Sequence, residues 1–308
     1  MFSTLVGADL SEVLRMIYPS PSKPVAPSTG PYADRPIALL TQHGKEREIA
    51  AVLDPALGCR VERVSGFDTD TLGTFTRDIP RPGTQLDAAR KKARIGMELS
   101  GLQLSLASEG SFGPDPMTGM FAWNVELLVF IDDERGIEVM GVAQGKTNFS
   151  HLLTADWAAA EAFARQADFP AHHLVVRPER EDDPRMRKGI AAWAALEAAF
   201  ISALAESANG QVFVETDVRA HANPTRMHNI RLAAEDLAKK LCSLCPGCDT
   251  PGFWIVERMT GLPCADCGAP TRETRAEVHG CLKCTHRETR ERAGRQYADP
   301  GRCDYCNP

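Results

Sequence analysis

With 308 residues, 43% of them hydrophobic and 25% charged, the chain has the composition of an ordinary globular protein; its length suggests two domains rather than one compact core. A formal charge of −6 argues against non-specific nucleic-acid binding by the protein as a whole. No apolar run reaches the roughly 18 residues a membrane helix needs, and the first residues lack the basic segment and long apolar run of a secretion signal, so a cytoplasmic location with no membrane partner is expected.

Residues 1–18 place Leu10, Val13, Leu14 and Ile17 on one side of a short amphipathic helix. A flexible Pro/Ser-rich linker is expected over 19–35. An α/β domain then occupies 36–241. The unbroken apolar run Pro36–Leu40 reads as a strand buried on both faces, Thr41–Lys45 as a polar loop, and the segment through Ile49, Val52 and Leu53 as a helix. Strand Arg60–Val64 follows, then a polar loop through Asp68, Asp70 and Gly73–Thr76, and a helix over Gln85–Leu99. Strand Leu102–Ala107 is expected to end in a turn at Ser108–Pro114, and Val125–Ile131 with Ile137–Ala143 reads as a hairpin. Helices Ala155–Gln166 and Gly189–Ser207 alternate with strands Leu174–Arg177 and Gln211–Glu215. Asn223-Pro224 marks a helix start, Asn as cap and Pro in the first turn, with the helix running to Leu241. Apolar strands with intervening helices argue for an α/β fold.

Residues 242–308 hold four Cys-x-x-Cys pairs: Cys245/Cys248, Cys264/Cys267, Cys281/Cys284 and Cys303/Cys306. Each pair presents two thiolates to one cation, and two pairs complete a tetrahedral sulfur site, so a double zinc-ribbon domain with two structural Zn²⁺ is expected. Sequence leaves the pairing open between a nested arrangement (second with third, first with fourth) and a sequential one. Phe253, Trp254, Tyr297 and Tyr305 are expected to cover the sites. Cys59 reads as a small buried hydrophobe and Cys242 as the end of a helix. The tail carries as many acidic as basic residues, so the alternating run His286–Arg292 reads as a solvated face. RNA, DNA or protein contact through the ribbons is the partner expectation.

Polar residues gather where strands end, which is where open α/β sheets bind ligands. Thr41, His43 and Lys45 lie at a strand-to-helix junction, where free N–H groups and a lysine suit a phosphate. Asp87 and Lys91 on the second helix read as a surface ion pair, with Lys92 beside them, and Glu109 and Ser111 sit on the expected Gly-containing turn. Asp68 and Asp70 read as turn-makers that can also join a metal site. Asp217, Arg219 and His221 form an anion-binding cluster between a strand and a helix start, and Thr147-Asn148 is placed at the same cleft.

In order and spacing these segments resemble the inosine-triphosphatase-like superfamily of nucleotide pyrophosphatases. Its pattern of T-x-N-x-x-K, a helical G-T-x-x-E-N-A-x-x-K-A and an acidic turn is met here by Thr41-x-His43-x-Lys45, by Gly83-Thr84-x-x-Asp87-Ala88-Ala89-x-x-Lys92-Ala93, and by Glu109-Gly110, all within residues 36–143. His43 stands in place of the family's Asn, Lys45 one residue early, and Ala88 in place of the helix Asn. The second acidic residue of the turn is missing. The resemblance implies a mixed sheet with flanking helices and a metal-dependent phosphohydrolase, a nucleoside triphosphate pyrophosphatase. Asp87 and Glu109, joined by Glu126, would hold Mg²⁺. Lys45 and Lys92 would neutralise the triphosphate, His43 would contact phosphate or base, and activated water would attack the α-phosphorus to release pyrophosphate. Nearly the whole chain is also similar to an uncharacterised bacterial domain-of-unknown-function family, through Thr41-x-His43-Gly44-Lys45-Glu46, Asp68-x-Asp70-x-x-Gly73-Thr74-Phe75, Ser108–Pro114 and the cysteine tail; this implies a fold and no activity. The rival function is a non-catalytic nucleotide- or nucleic-acid-binding protein.

Overall fold

The structure, a computed structural model, describes residues 30–72 and 83–308. The helix expected over 1–18, most of the expected linker, and the stretch from Gly73 to Pro82 lie outside the described residues. The described end of the linker is seated on the body: Tyr32 is fully buried, packs edge-on against Phe130 and donates to Asp132 at 3.2 Å. An aromatic ring with a phenol partner stabilises that docking in a way linker composition does not reveal.

The first sheet has the order β2-β1-β3-β4-β5, built from β1 (Pro36–Leu40), β2 (Arg60–Val64), β3 (Leu104–Pro114), β4 (Ala122–Asp132) and β5 (Ile137–Lys146). β1 runs parallel to both β2 and β3, while β3, β4 and β5 form antiparallel hairpins, so the sheet is mixed. Helices α1 (Glu46–Leu57) and α5 (Pro224–Leu241) cover one face, where Leu39, Ile49, Leu53, Leu106, Leu128, Phe130, Ile230 and Leu237 form the main core. Helix α2 (Gln85–Ser100) covers the other face, over Ala107, Leu127, Val129 and Ile131. Strand alternation sends even-numbered residues of β3 and β4 toward α1 and α5 and odd-numbered ones toward α2. At Gly141 a side-chain Cβ would stand 2.6 Å from Leu237 Cβ, so this glycine lets α5 lie directly on β5.

The expected turn at Ser108–Pro114 is strand instead: β3 continues to Pro114, with Glu109 opposite Leu127 and Gly110 opposite Glu126. Polar and glycine residues there suggest a loop, but an antiparallel partner supplies every ladder bond regardless of side chain.

A second sheet, β6-β9-β7-β8, is antiparallel throughout and made of β6 (His151–Thr154), β7 (Leu174–Pro178), β8 (Arg187–Ile190) and β9 (Val212–Thr216). Helices α3 (Trp157–Gln166) and α4 (Trp193–Glu206) share its core through Ala164, Phe169, Val176, Leu196, Phe200 and Val214. β6 and β8 escape sequence detection because each has only four residues and a half-exposed pattern. Helix α5 starts as expected, with Pro224 in its first turn and the Asn223 side chain accepting from the Arg226 N–H at 2.9 Å.

The tail forms a third sheet, β10-β11-β12, of β10 (Trp254–Thr260), β11 (Thr274–Gly280) and β12 (Arg287–Glu291). It is fixed to the C-terminal end of α5, where the Gly252 N–H donates to the carbonyls of Lys240 and Ser243. No helix among the described residues is long and apolar enough to cross a membrane.

Candidate functional site

Strand β1 stops at Leu40 while its neighbour β3 runs on to Pro114, so the β3–β4 hairpin projects beyond the parallel edge. The charged residues collect beside this step. On the α2 side, Lys92 pairs with Glu109; on the α5 side, Arg226 Nε donates to Glu126 Oε1 at 2.8 Å. Both carboxylates are buried, with Glu126 fully so, and the Arg226 guanidinium is 1% exposed. Asn124 also donates to Glu126 Oε1 at 3.1 Å, Asn229 donates to Asn124 at 2.9 Å, and Arg226 Nη1 donates to the Val218 carbonyl at 2.7 Å. Gly110 makes room for this network, since a Cβ there would lie 2.7 Å from Arg226 Nη2 and still closer to Glu126.

Lys45, the residue that opens α1, reaches into the same region and is buried. Its Nζ donates to the Ser108 carbonyl at 3.1 Å and lies 3.5 Å from Ser108 Oγ. Burial pushes its ammonium down to about 7, and the neighbouring Arg226 and Lys92 add to that effect against the opposing pull of Glu126 and Glu109.

The structure therefore gathers Lys45, Lys92, Glu109 and Glu126, but not Asp87. Asp87 is the third residue of α2 and closes a capping box: it accepts from the Thr84 N–H at 3.0 Å and the Thr84 hydroxyl at 2.7 Å, and its N–H donates to Thr84 Oγ1. Those Thr84 bonds hold its carboxyl below the usual range. The residue facing the hairpin is Gln85, whose amide donates to the Glu109 and Val125 carbonyls at 2.8 and 3.0 Å and accepts from the Ser111 hydroxyl at 3.1 Å. In the structure Asp87 is thus engaged as a helix cap, and Glu109 as the partner of Lys92. Glu109 and Glu126 leave opposite faces of the hairpin and each meets a basic side chain. The groups of three or more metal-ligating side chains found among the described residues are both made of cysteines.

The remaining expected residues divide between the rim and the scaffold. The His43 ring stacks on exposed His221 with centroids 5.2 Å apart, which joins the loop after β1 to the loop after β9. Thr41 is buried and its carbonyl accepts from Arg63 at 3.3 Å. Asp68 is exposed and its carbonyl closes a turn by accepting from Thr71 at 2.6 Å, the turn-making role; the side chain of Asp70 lies outside the described residues. Asp217 is buried and accepts from the Arg219 guanidinium and from the N–H groups of Arg219 and Gly189, so this pair braces its own loop. Burial raises the Asp217 carboxyl, but those bonds outweigh it and leave it below the usual range. Asn148 is likewise a brace, accepting from Asn223 and donating to the Ala167 carbonyl. Sequence reading missed Arg226, Gln85, Asn124 and Asn229. Only Arg226 carried a signal, as a cation in the first turn of α5 just after Asp217, Arg219 and His221.

In the tail, the four Sγ atoms of Cys245, Cys248, Cys281 and Cys284 lie within 4.8 Å of one another, as do those of Cys264, Cys267, Cys303 and Cys306. Pairing is therefore crossed, first with third and second with fourth, and both the nested and the sequential expectations are corrected. Sequence spacing could not decide this, because strands β10 to β12 carry the knuckles past one another. Individual separations such as Cys245–Cys284 at 3.7 Å and Cys264–Cys306 at 3.8 Å are far too long for a disulfide. They match the roughly 3.8 Å edge of a tetrahedron with metal–sulfur bonds of about 2.3 Å, so the donor sets fit Zn²⁺. Backbone N–H groups of Gly247 and Lys283 point at knuckle sulfurs at 3.4 and 3.3 Å, which suits thiolates. Phe253 is buried beside His279 and His286, whereas Tyr297 and Tyr305 are exposed. Cys242 caps the end of α5 outside both clusters, and Cys59 is buried in the main core, which pushes its thiol up to about 12.

Residues 92–308 match the family described as Domain of unknown function (DUF6671), and the chain belongs to that family. The matched region holds Lys92, Glu109, Glu126, Arg226 and all eight knuckle cysteines, while Lys45 precedes it. No curated protein matches the chain.

Proposed function

For this member of the DUF6671 family we propose a phosphohydrolase that acts on a nucleotide-like phosphate ester, with a zinc-stabilised tail as a fixed appendage. The observation that carries the reading is the set of three basic side chains, Lys45, Lys92 and Arg226, held with two carboxylates among the described residues beside the end of β1. Three basic groups meeting two carboxylates at a strand-to-helix junction are suited to a phosphate group. The mixed sheet with helices on both faces supports the pyrophosphatase resemblance at the level of architecture. Glu109, paired with Lys92, orients the attacking water, and Lys45 and Arg226 stabilise charge on the phosphoryl oxygens. Mg²⁺ enters bound to the substrate's phosphates and lowers their charge. His43 and His221 stand at the rim, where a ring stack suits a base.

A screen of nucleoside triphosphates, diphosphates and monophosphates for Mg²⁺-dependent release of phosphate or pyrophosphate tests this. Glu109→Gln is expected to lower kcat by about 10²–10⁴-fold; unchanged turnover removes Glu109 from the mechanism. Binding without turnover is the second reading, and the pairing of both carboxylates with basic groups favours it. Nucleotide binding by calorimetry together with no product from any substrate would select it.

A further inference from the structure

Lys45 has a bonding pattern that a permanently charged lysine does not need. An ammonium has three N–H donors, yet the two acceptors found for Nζ both belong to Ser108, the carbonyl at 3.1 Å and the hydroxyl at 3.5 Å. Two acceptors satisfy the two N–H groups of a neutral amine. Both nearby carboxylates are already engaged, Glu109 by Lys92 from α2 and Glu126 by Arg226 from α5. With Lys45 neutral, the cluster holds two cations against two anions; with Lys45 charged, it buries one unit of uncompensated charge. Buried charge without a partner is strongly disfavoured, and the lysine's lowered affinity for its proton is the expected consequence.

We infer that the cluster accepts one tetrahedral dianion of the phosphate class at Lys45, and that Lys45 takes up a proton as the anion arrives. The anion supplies the countercharge that a protonated Lys45 needs, so anion and proton bind together. An anion is then favoured over a neutral ligand, because it compensates the added proton, and the second charge of a dianion lies in the field of the neighbouring Arg226 and Lys92. This rests on the proposed phosphate-binding role of the cleft but not on catalysis.

Sulfate is the decisive probe, being a tetrahedral dianion that does not itself titrate near neutral pH. The full chain is titrated with sulfate by calorimetry from pH 6 to 9, in pairs of buffers with different ionisation enthalpies, with inorganic phosphate as a second probe. Close to one proton is expected to be taken up per sulfate at pH 8 and about a tenth of one at pH 6, with affinity falling about tenfold per pH unit above 7. Lys45→Met should abolish both the uptake and the slope, while Lys45→Arg, charged throughout, should bind sulfate with no slope. Circular dichroism confirms that each variant is folded. Sulfate binding without proton uptake, a slope that survives in Lys45→Met, or no sulfate or phosphate binding at pH 6 would each overturn the inference. Turnover that depends on Glu109 without proton-linked sulfate binding would leave the hydrolase proposal standing and remove only this one; proton-linked binding without turnover does the reverse.

Discussion

Lys45 shows how a single residue links stability to function. The fall of its pKa from 10.5 to about 7 corresponds to a cost on the order of 5 kcal/mol for carrying its charge inside the fold. Its folded value lies below its unfolded one, so the unfolded chain binds more protons between pH 7 and 10.5 and stability rises with pH across that window; below 7 the cost is fully present. Lys45→Met removes the cost and forfeits about 1–2 kcal/mol of bonding to Ser108. Urea unfolding at pH 6 should therefore show the variant more stable by about 3–4 kcal/mol, with wild type closing the gap toward pH 10. Arg226 is the opposite case. Arg226→Met strands the fully buried Glu126 carboxylate and should cost about 3–5 kcal/mol, most of which Glu126→Leu in the same chain should restore.

Among the elements, α5 is the one that organises the site. Its Asn223 cap fixes where the helix begins, and three residues later Arg226 is aimed at Glu126. Its far end carries the first cysteine knuckle, and its middle lies on β5 at Gly141. Gly141→Ala pushes the helix off the strand and should cost at least about 1–3 kcal/mol by thermal unfolding. Helix α2 offers a control: Thr84→Ala removes a cap at an exposed helix start and should cost about 1 kcal/mol while leaving anion binding intact. Both helices could be read from the sequence, since apolar spacing and capping residues are local signals. The hairpin β3–β4 could be read only in part. Its outer half is polar because it carries the site, and polarity at a strand end looks like a loop until its partner strand is known.

Across the whole molecule, crossed cysteine pairing makes a countable prediction. Metal analysis of Cys245→Ser/Cys281→Ser should show one zinc lost, since both ligands serve one ion, whereas Cys245→Ser/Cys264→Ser and Cys264→Ser/Cys281→Ser should each lose two. A nested arrangement predicts one ion lost in the last of these, and a sequential one predicts one lost in the second. Removing both ions with a strong chelator should unfold the tail, whose small sheet has little core beyond Phe253, Leu262, Ala276 and Val278. The residue order alone was enough to single out the eight cysteines that gather into two metal-competent sets, the capped start of α5 and the α/β alternation, because each depends on spacing along the chain. Which knuckles come together, which base each acid meets and which cation has no paired carboxylate among the described residues were decided only when distant strands and helices packed together. Those relations are distances through space, and the same local patterns are compatible with several of them.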